Sequence, residues 1–159
     1  MAESQEQAQG RLPPRWFVRF AWAFHRAYCR VTGGRRGLWP PAEGKWGTMR
    51  LTSIGRRSGK SRSVIVGYFE DGDKLVTMAM NGWGDPEPAW WLNLQAKPDA
   101  KVEVRGRALA MRARAAQGEE RERLWDRWRT YSKEGQFDGW AGRRSRETAV
   151  VVLEPIAGA

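Results

Sequence analysis

Residues 55–62 contain four cationic side chains, two serine hydroxyls and two glycines within eight positions. An apolar run precedes them at 49–54, and an alternating run rich in β-branched residues follows at 63–69, a pattern that predicts a turn between two strands. Guanidinium groups bind phosphate or carboxylate oxygens in pairs, and glycines leave backbone N–H groups accessible. The segment therefore predicts a site for a polyanionic ligand. The alternative is a solvated basic hairpin tip that binds nothing.

A nucleotide-binding P-loop is excluded for this segment. That motif needs four residues between its first glycine and the Gly-Lys-Ser/Thr sequence, and it is followed by a helix. Here three residues separate Gly55 from Gly59, and a strand is predicted next. The helix N-terminus that supports the phosphates in a P-loop is therefore missing from the predicted structure.

A second unusual segment covers residues 81–98, a Gly/Pro-rich loop followed by a short aromatic helix. Gly82 and Gly84 leave backbone N–H groups open, and the helix after Pro88 directs the positive end of its dipole toward the loop. Aromatic rings at the start of the helix suit a ligand with a flat ring system and a negative tail. The alternative is that Trp90, Leu92 and Leu94 only fill the core.

The composition limits the classes of function. The chain has 159 residues, ten tryptophans and a net charge of +10, which favours an anionic partner. The single Cys29 excludes an internal disulfide and a cysteine-rich metal site, and no metal site is predicted. The single His25 excludes the two-histidine zinc motif of metalloproteases and leaves little room for a Ser-His-Asp triad.

The order of elements predicts a mostly β fold with added helices, an α+β chain. Strands are predicted over 48–54, 62–70, 74–80, 100–106, 107–115 and 148–153, and helices over 15–31, 89–96 and 118–131. Residues 132–147 are polar and give no clear pattern. Six strands with short helices inserted late suggest a small antiparallel barrel whose mouth offers a groove for a planar ligand. We expect a disordered segment at 1–12, one domain over 13–155, and a tail at 156–159.

The predicted helix over 15–31 is basic, aromatic and amphipathic. Such a helix can lie in the interface of an anionic membrane, or it can pack on the core with its arginines in water. The sequence contains no apolar run long enough to span a bilayer, and its polar N-terminus is not a secretory signal. The expected compartment is the cytoplasm, with peripheral association at the inner face of the plasma membrane as the second possibility.

Taken together, the two segments resemble the deazaflavin (F420)-dependent nitroreductase and F420H2-dependent quinone reductase family, which is common in actinobacteria. The matching residues are Gly55 to Gly59 with Arg62, the stretch Pro-Ala-Trp-Trp-Leu-Asn-Leu-Gln-Ala-Lys-Pro at 88–98, and the closing strand to Pro155. The chain differs from the family pattern at Met80, where a serine is frequent, and at Trp91, where a tyrosine is usual.

The resemblance implies a split β-barrel of the flavin-reductase type that uses reduced F420 to pass a hydride to a flat, hydrophobic acceptor. A quinone is the expected acceptor, with nitroaromatics and enones as further candidates. It also implies that the basic turn holds the phosphate and glutamate tail of the coenzyme, and that the segment after the third strand meets the deazaflavin ring. The implied coenzyme-binding residues are Arg56, Arg57, Ser58, Gly59, Lys60, Arg62, Met78, Ala79, Met80, Asn81, Gly82, Ala89 and Trp90.

The chain keeps few of the tyrosines that shape the acceptor site in this family. Trp91, Tyr131 and Phe137 are the expected residues of the acceptor pocket. The hydride chemistry needs no dedicated acid or base, and the proton would come from solvent or from Tyr131.

Two other classes of function remain open from the sequence. One is a split barrel that binds FMN, haem or a lipid-like molecule without F420 chemistry. The other is a nucleic-acid-binding module, since a basic barrel with exposed aromatics can bind single strands. The positive charge is spread over the helix at 15–31, the turn and residues 105–146 rather than collected on one strand face, so no nucleic-acid partner is expected.

Overall fold

The computed structural model describes residues 37–157. The expected disorder at 1–12 and the expected amphipathic helix at 15–31, with its association with an anionic membrane, lie outside the described residues and stay predictions. Among the helices of residues 37–157, none has the length and apolar character that crossing a membrane requires.

Six strands and three α-helices make up the described chain. The strands are β1 Gly47–Ile54, β2 Ser61–Asp71, β3 Lys74–Met78, β4 Asp99–Val104, β5 Arg107–Ala115 and β6 Val150–Pro155. The helices are α1 Ala89–Ala96, α2 Gly118–Arg129 and α3 Gln136–Ala141, and a single 3-10 turn spans Asn81–Trp83.

The strands form a closed barrel in the order β1-β2-β3-β6-β5-β4, and β4 pairs back to β1. Every pairing between neighbouring strands is antiparallel. The expected mostly β fold, a split barrel of about six antiparallel strands with added helices, is confirmed.

The barrel interior is filled by every second residue of the strands, as the two-residue period of a pleated strand requires. The α1 helix closes one end of the barrel and contacts β1, β2 and β5. Its buried Trp91 and Leu94 join the interior cluster. The strand residues of this cluster are Met49, Leu51, Val66, Tyr68, Leu75, Ala100, Val102, Val104, Met111, Ala113, Val151 and Leu153.

A second apolar cluster lies on the outer face of β2, β3 and β6, beneath α2 and α3. Strand side chains that alternate with the interior set supply one half of it: Phe69, Val76, Met78, Val150 and Val152. The other half consists of side chains from the helices and the 3-10 turn: Trp83, Leu124, Trp125, Trp128 and Phe137. Much of the unusual tryptophan content is therefore used to attach helices to the outside of the barrel.

The predicted and observed elements differ mainly where the backbone changes direction. β3 ends at Met78, two residues before the predicted end, because the chain then enters a left-handed turn. The final strand begins at Val150 instead of 148. The α3 helix within residues 132–147 is not predicted by the sequence pattern. Its contact with the core is made by Phe137, Trp140 and Ala141, which have helical spacing but lie on a helix of only six residues within a polar segment, too short for a clear periodic signal.

A cluster of ion pairs joins α2 to two strands. The Arg114 guanidinium on β5 donates two hydrogen bonds to the Glu120 carboxylate at 2.6 and 2.8 Å, and Nη2 also reaches Glu154 Oε1 of β6 at 2.9 Å. These hydrogen bonds from Arg114 hold the pKa of Glu120 and the pKa of Glu154 below their usual range. The cluster therefore stabilises the docked position of α2 while both carboxylates are ionised.

The substitution Glu120→Gln tests this cluster. Because the carboxyl pKa is lowered in the folded protein, its contribution is present above the unfolded value of about 4.3 and is lost as the pH falls through the lower folded value. We expect Glu120→Gln to cost about 0.5 kcal/mol at pH 7 after solvent screening, or about 1–2 °C in Tm, and to cost less at pH 3, where more of the carboxyl is protonated.

Thermal unfolding followed by circular dichroism at pH 7 and pH 3 measures this difference. Glu119→Gln is the matched control, since Glu119 is exposed in the same helical turn and makes no ion pair within residues 37–157. An equal loss of Tm at both pH values would contradict the ionic origin of the effect.

Candidate functional site

The basic segment is a tight turn between β1 and β2, as predicted. The Gly55 amide donates to the Lys60 carbonyl, and the Gly59 amide donates to the Gly55 carbonyl, both at 2.8 Å. Gly59 has a positive φ of 65°, which favours glycine. A Cβ at Gly55 would lie 2.7 Å from Ser58 Oγ. The two glycines therefore allow a compact turn that exposes the side chains between and after them.

The cations of this turn are exposed and largely unneutralised. Within residues 37–157, the side chains of Arg57, Lys60 and Arg62 form no ion pair or hydrogen bond. Several arginines of the barrel strands are instead paired with carboxylates, as Arg50, Arg112 and Arg114 show. A concentration of unpaired positive charge on a short turn favours a ligand with several negative groups.

Arg56 differs from the other cations because it is tied to α1. Its backbone amide and its Nη1 both donate to Asn93 Oδ1, at 3.1 and 3.3 Å. Asn93 is only 4% exposed, and its Nδ2 donates to Ser53 Oγ of β1 at 3.4 Å. The buried amide thus connects the end of β1, the basic turn and α1. Sequence reasoning placed Asn93 within a motif but assigned it no role.

An opening in the barrel wall begins beside the basic turn. The first eight residues of β2, Ser61 to Tyr68, pair with β1, and only Phe69 to Asp71 pair with β3. Within the described chain, the other edge of the first eight residues carries no strand, so β2 and β3 separate there. Backbone N–H and C=O groups on an unpaired edge are available to a ligand. This opening, which we call the split, runs from the basic turn toward the end of β3.

The segment after β3 forms the opposite side of the split. Met78 and Ala79 are buried, Met80 is half-buried, and Asn81 and Gly82 are exposed. The chain then makes a left-handed turn in which three consecutive residues, Asn81, Gly82 and Trp83, have φ values of 46°, 61° and 63°. We call residues 79–87 the ring loop, after the ligand group expected there.

Two partly exposed tryptophans lie on segments that contact β2. Ala89 is exposed and Trp90 is half-buried at the start of α1. Trp46, which is 41% exposed, lies against β2 at Gly67, where a Cβ would come within 3.0 Å of the indole. Sequence reasoning did not single out Trp46, although the absence of a side chain at Gly67 in a β-branched strand is a signal for close packing.

The expected acceptor-pocket residues fall into two different clusters. Trp91 is 5% exposed and belongs to the barrel interior, whereas Phe137 is 5% exposed in the outer cluster, edge-on to Trp83 at 5.1 Å. Tyr131 is half-buried beside Phe69, with ring centroids 6.0 Å apart. The structure does not bring Trp91 together with the other two.

Tyr131 also lines an open depression of about 600 Å³ with Glu70, Gly72 and Arg127, near the β2–β3 hairpin. Nine residues of β2 separate Glu70 from the basic-turn end of the strand, about 30 Å in extended chain. The depression is therefore distinct from the basic turn. Met80 and Tyr131 both pack against the outer cluster, which links the depression to the ring loop.

The residues of the split suit a coenzyme with a planar ring and an anionic tail. Unpaired guanidinium groups match phosphate and carboxylate oxygens, and the open strand edge and half-buried Met80 and Trp90 offer polar and apolar surface further along. The glycine at position 55 keeps the turn compact enough to present these groups together.

Comparisons with known proteins agree with this arrangement. A family model described as F420H(2)-dependent quinone reductase matches residues 23–155. An F420H(2)-dependent quinone reductase of Mycobacterium tuberculosis is 31% identical over 132 residues, which cover 81% of this chain and 86% of that protein.

Two solved structures are similar in fold. A structure titled F420-H2 dependent reductase (FDR-A) has a TM-score of 0.59 and 27% identity, and covers 67% of this chain and 93% of that chain. HutZ, the haem storage protein from Vibrio cholerae, has a TM-score of 0.52 over 70% of this chain and 82% of that chain, and at 12% identity it shows the fold alone. The extent of the family match and the 31% identity establish that the chain belongs to the F420H(2)-dependent quinone reductase family.

Proposed function

We propose that the protein binds reduced F420 in the split and transfers a hydride to a quinone. The observation that carries the proposal is the basic turn: within residues 37–157, three of its cationic side chains form no ion pair, and they lie at one end of a strand edge that pairs with no other strand of this range. Membership of a family described by this activity supports the same coenzyme and the same class of acceptor.

The basic turn would hold the phosphate and the glutamate carboxylates of the tail. Arg57 and Arg62 can each take two oxygens of one group, and Lys60 adds a point charge. Arg56 would contribute the guanidinium nitrogens that Asn93 does not use, and the Ser58 hydroxyl and the Gly59 region of the backbone are close by. Because these groups are exposed, binding of the tail should weaken as salt rises.

The ring would lie farther along the split, against the last residues of β3 and the ring loop. The buried Met78 and Ala79 would lie behind this surface, and Met80 would supply a polarisable apolar contact. The exposed Asn81 and Gly82 would offer backbone polar groups to the ligand. Ala89 and Trp90 would border the same opening from α1.

When bound, reduced F420 supplies the hydride, so the protein has to orient the two reactants and keep water away. The half-buried Met80 and Trp90 would exclude water from the ring, and the fixed tail would set its position along the split. Tyr131 is the proposed proton donor to the reduced acceptor, with solvent as the alternative source. Of the expected acceptor pocket, the half-buried Tyr131 is the residue proposed to contact the acceptor. The burial of Trp91 in the barrel interior and of Phe137 in the outer cluster supports an indirect role for these two.

Charge reversal at Arg57 tests the tail site. Titration of the protein with F420, followed by tryptophan fluorescence, should show saturable binding, and Arg57→Glu should weaken it by about 10- to 100-fold because a charge-assisted hydrogen bond is lost. Parallel titrations with FMN and NADPH should show no comparable affinity.

Arg107→Glu is the matched control, since Arg107 is an exposed arginine beside the β4–β5 turn and carries the same change of charge. Equal weakening by the two substitutions would show that net charge rather than the basic turn decides the affinity. Tight FMN binding with no F420 binding would overturn the proposed coenzyme.

Replacement of Asn93 tests how the basic turn is fixed. Asn93→Ala removes the acceptor of the Arg56 amide and the donor to the buried Ser53 hydroxyl. It should cost about 1–3 kcal/mol of unfolding free energy, since the Ser53 hydroxyl is left without this partner. F420 affinity should fall at the same time. Gln95→Ala is the control, because Gln95 is exposed on the same helix. Urea unfolding and F420 titration of both variants provide the measurements, and unchanged affinity in Asn93→Ala would contradict the positioning role.

Tyr131→Phe isolates the phenolic hydroxyl, because the ring contacts with Phe69 and Trp128 are kept. A lost proton donor should lower kcat for a quinone by about 100-fold or more while leaving the Kd of F420 unchanged. Steady-state kinetics with a soluble quinone give kcat, and the fluorescence titration gives Kd. An unchanged kcat would contradict the donor role of Tyr131 and assign the proton to solvent.

A further inference from the structure

Arg144 is a buried arginine whose side chain is 0% exposed. It follows α3 in the polar segment that shows no clear sequence pattern. A buried guanidinium is costly unless hydrogen bonds satisfy its donors. Arg144 donates from Nε to the Gly84 carbonyl at 3.0 Å, and from Nη1 to the Ala79 carbonyl at 3.0 Å and to Thr148 Oγ1 at 2.7 Å.

The partners of Arg144 lie almost entirely in the ring loop. The carbonyls of Ala79 and Gly84 mark the two ends of its left-handed turn, so a single planar group bridges them. Nη2 points toward the Asp85 carbonyl at 3.5 Å and lies 3.8 Å from Glu87 Oε1. The guanidinium thus contacts the loop at its first residue and again near its end, and fixes the separation of these two parts.

The neighbouring residue adds a second attachment. The Ser145 amide donates to Asp85 Oδ1 at 2.6 Å, and this hydrogen bond holds the pKa of Asp85 below its usual range. Arg144 and Ser145 therefore donate hydrogen bonds to adjacent parts of the same loop. Moving the loop would be costly, because it would leave the buried guanidinium without its hydrogen-bond acceptors.

The ring loop needs such support because its backbone is strained. A left-handed conformation costs about 1–2 kcal/mol for most residues with a Cβ, and Trp83 adopts it, as does Asn81, a residue type that tolerates it better. Such conformations persist only where the surroundings hold them. The Asn81 side chain donates to the Pro86 carbonyl at 2.8 Å, and Trp83 packs against Phe137. Arg144 joins the two ends of the turn between these anchors.

We propose that Arg144 is a positioning residue that holds the ring loop in its left-handed form and thereby sets the affinity for the ring portion of the coenzyme. The inference rests on the proposed function, since the ring loop is the proposed ring-binding surface. It separates two parts of the site: the basic turn determines tail affinity, and Arg144 determines ring affinity through the loop. If Arg144 only stabilised the fold, its replacement would lower Tm but would not change the affinity for the ring separately from the affinity for the tail.

The test compares two ligands: complete F420, and a deazaflavin that ends at its ribityl chain and lacks the phosphate and glutamates. Arg144→Met should weaken both by the same factor, about tenfold, because only the ring part is affected. Arg144→Lys should recover part of the affinity, since an ammonium group can bond one or two of the carbonyls but cannot reproduce the planar fork. Arg57→Glu should weaken complete F420 alone.

Arg143→Met is the matched control, because Arg143 is the exposed neighbour and loses the same charge. If Arg144→Met does not fold, Thr148→Val removes one acceptor of the guanidinium with little change of shape and should weaken both ligands about threefold. Amide hydrogen exchange gives a readout that needs no ligand. The Trp83 and Gly84 amides, which bond the Met80 and Asn81 carbonyls, should exchange faster in Arg144→Lys, while strand amides keep their rates.

The different failures are distinguishable. If the wild-type protein binds neither ligand, the proposed function is wrong, and hydrogen exchange still decides whether Arg144 holds the loop. If the wild type binds both ligands and folded Arg144 variants bind them equally well, the inference is overturned while the proposed function stands. Weakening of complete F420 alone would also overturn it, because Arg144 would then act on the tail.

Discussion

The structure depends on how strand β2 is paired along its length, first with β1 and then with β3. β2 pairs with β1 through Tyr68 and with β3 only from Phe69 onward, so the barrel wall opens beside the basic turn. If the β2–β3 ladder continued, it would cover the edge that is proposed to face the coenzyme and would extend the segment after Met78 into a strand. The opening therefore lies between the exposed cations of the basic turn at one end and the left-handed ring loop on its far side.

The two sides of the split are held by buried polar side chains rather than by apolar packing alone. Asn93 fixes the basic turn to α1, and Arg144 joins the two ends of the ring loop. The side chains of Asn93 and Arg144 each form several hydrogen bonds and are almost completely buried. An unpaired polar group would be costly at such a position. This arrangement lets exposed segments keep one conformation, which is a requirement for orienting a coenzyme whose own chemistry needs no catalytic acid or base from the protein.

Much of the fold could be predicted from the sequence because local signals were strong. The two-residue alternation of β2, the turn at Arg105 and Gly106, and the helix between Pro88 and Pro98 all appear at the expected places.

The early end of β3 could not be predicted, since Met78, Ala79 and Met80 continue an apolar run and the turn is set by distant contacts. For the same reason the roles of Asn93 and Arg144 have no local signal. Arg56, which Asn93 binds, lies 37 residues away along the chain, and the Gly84 and Ala79 carbonyls that Arg144 binds lie 60 and 65 residues away. The basic turn was predictable because its charges and glycines are contiguous, whereas the acceptor pocket depends on how helices pack.

The central claim is that the coenzyme occupies the split with its tail at the basic turn and its ring at the ring loop. A crystal structure of the complex with F420 tests it most directly. We expect phosphate or carboxylate oxygens within hydrogen-bond distance of Arg57 and Arg62, and the deazaflavin ring in contact with Met80 and Gly82. A tail bound at another face, for example along the arginines of α2, with the split filled only by solvent, would contradict it.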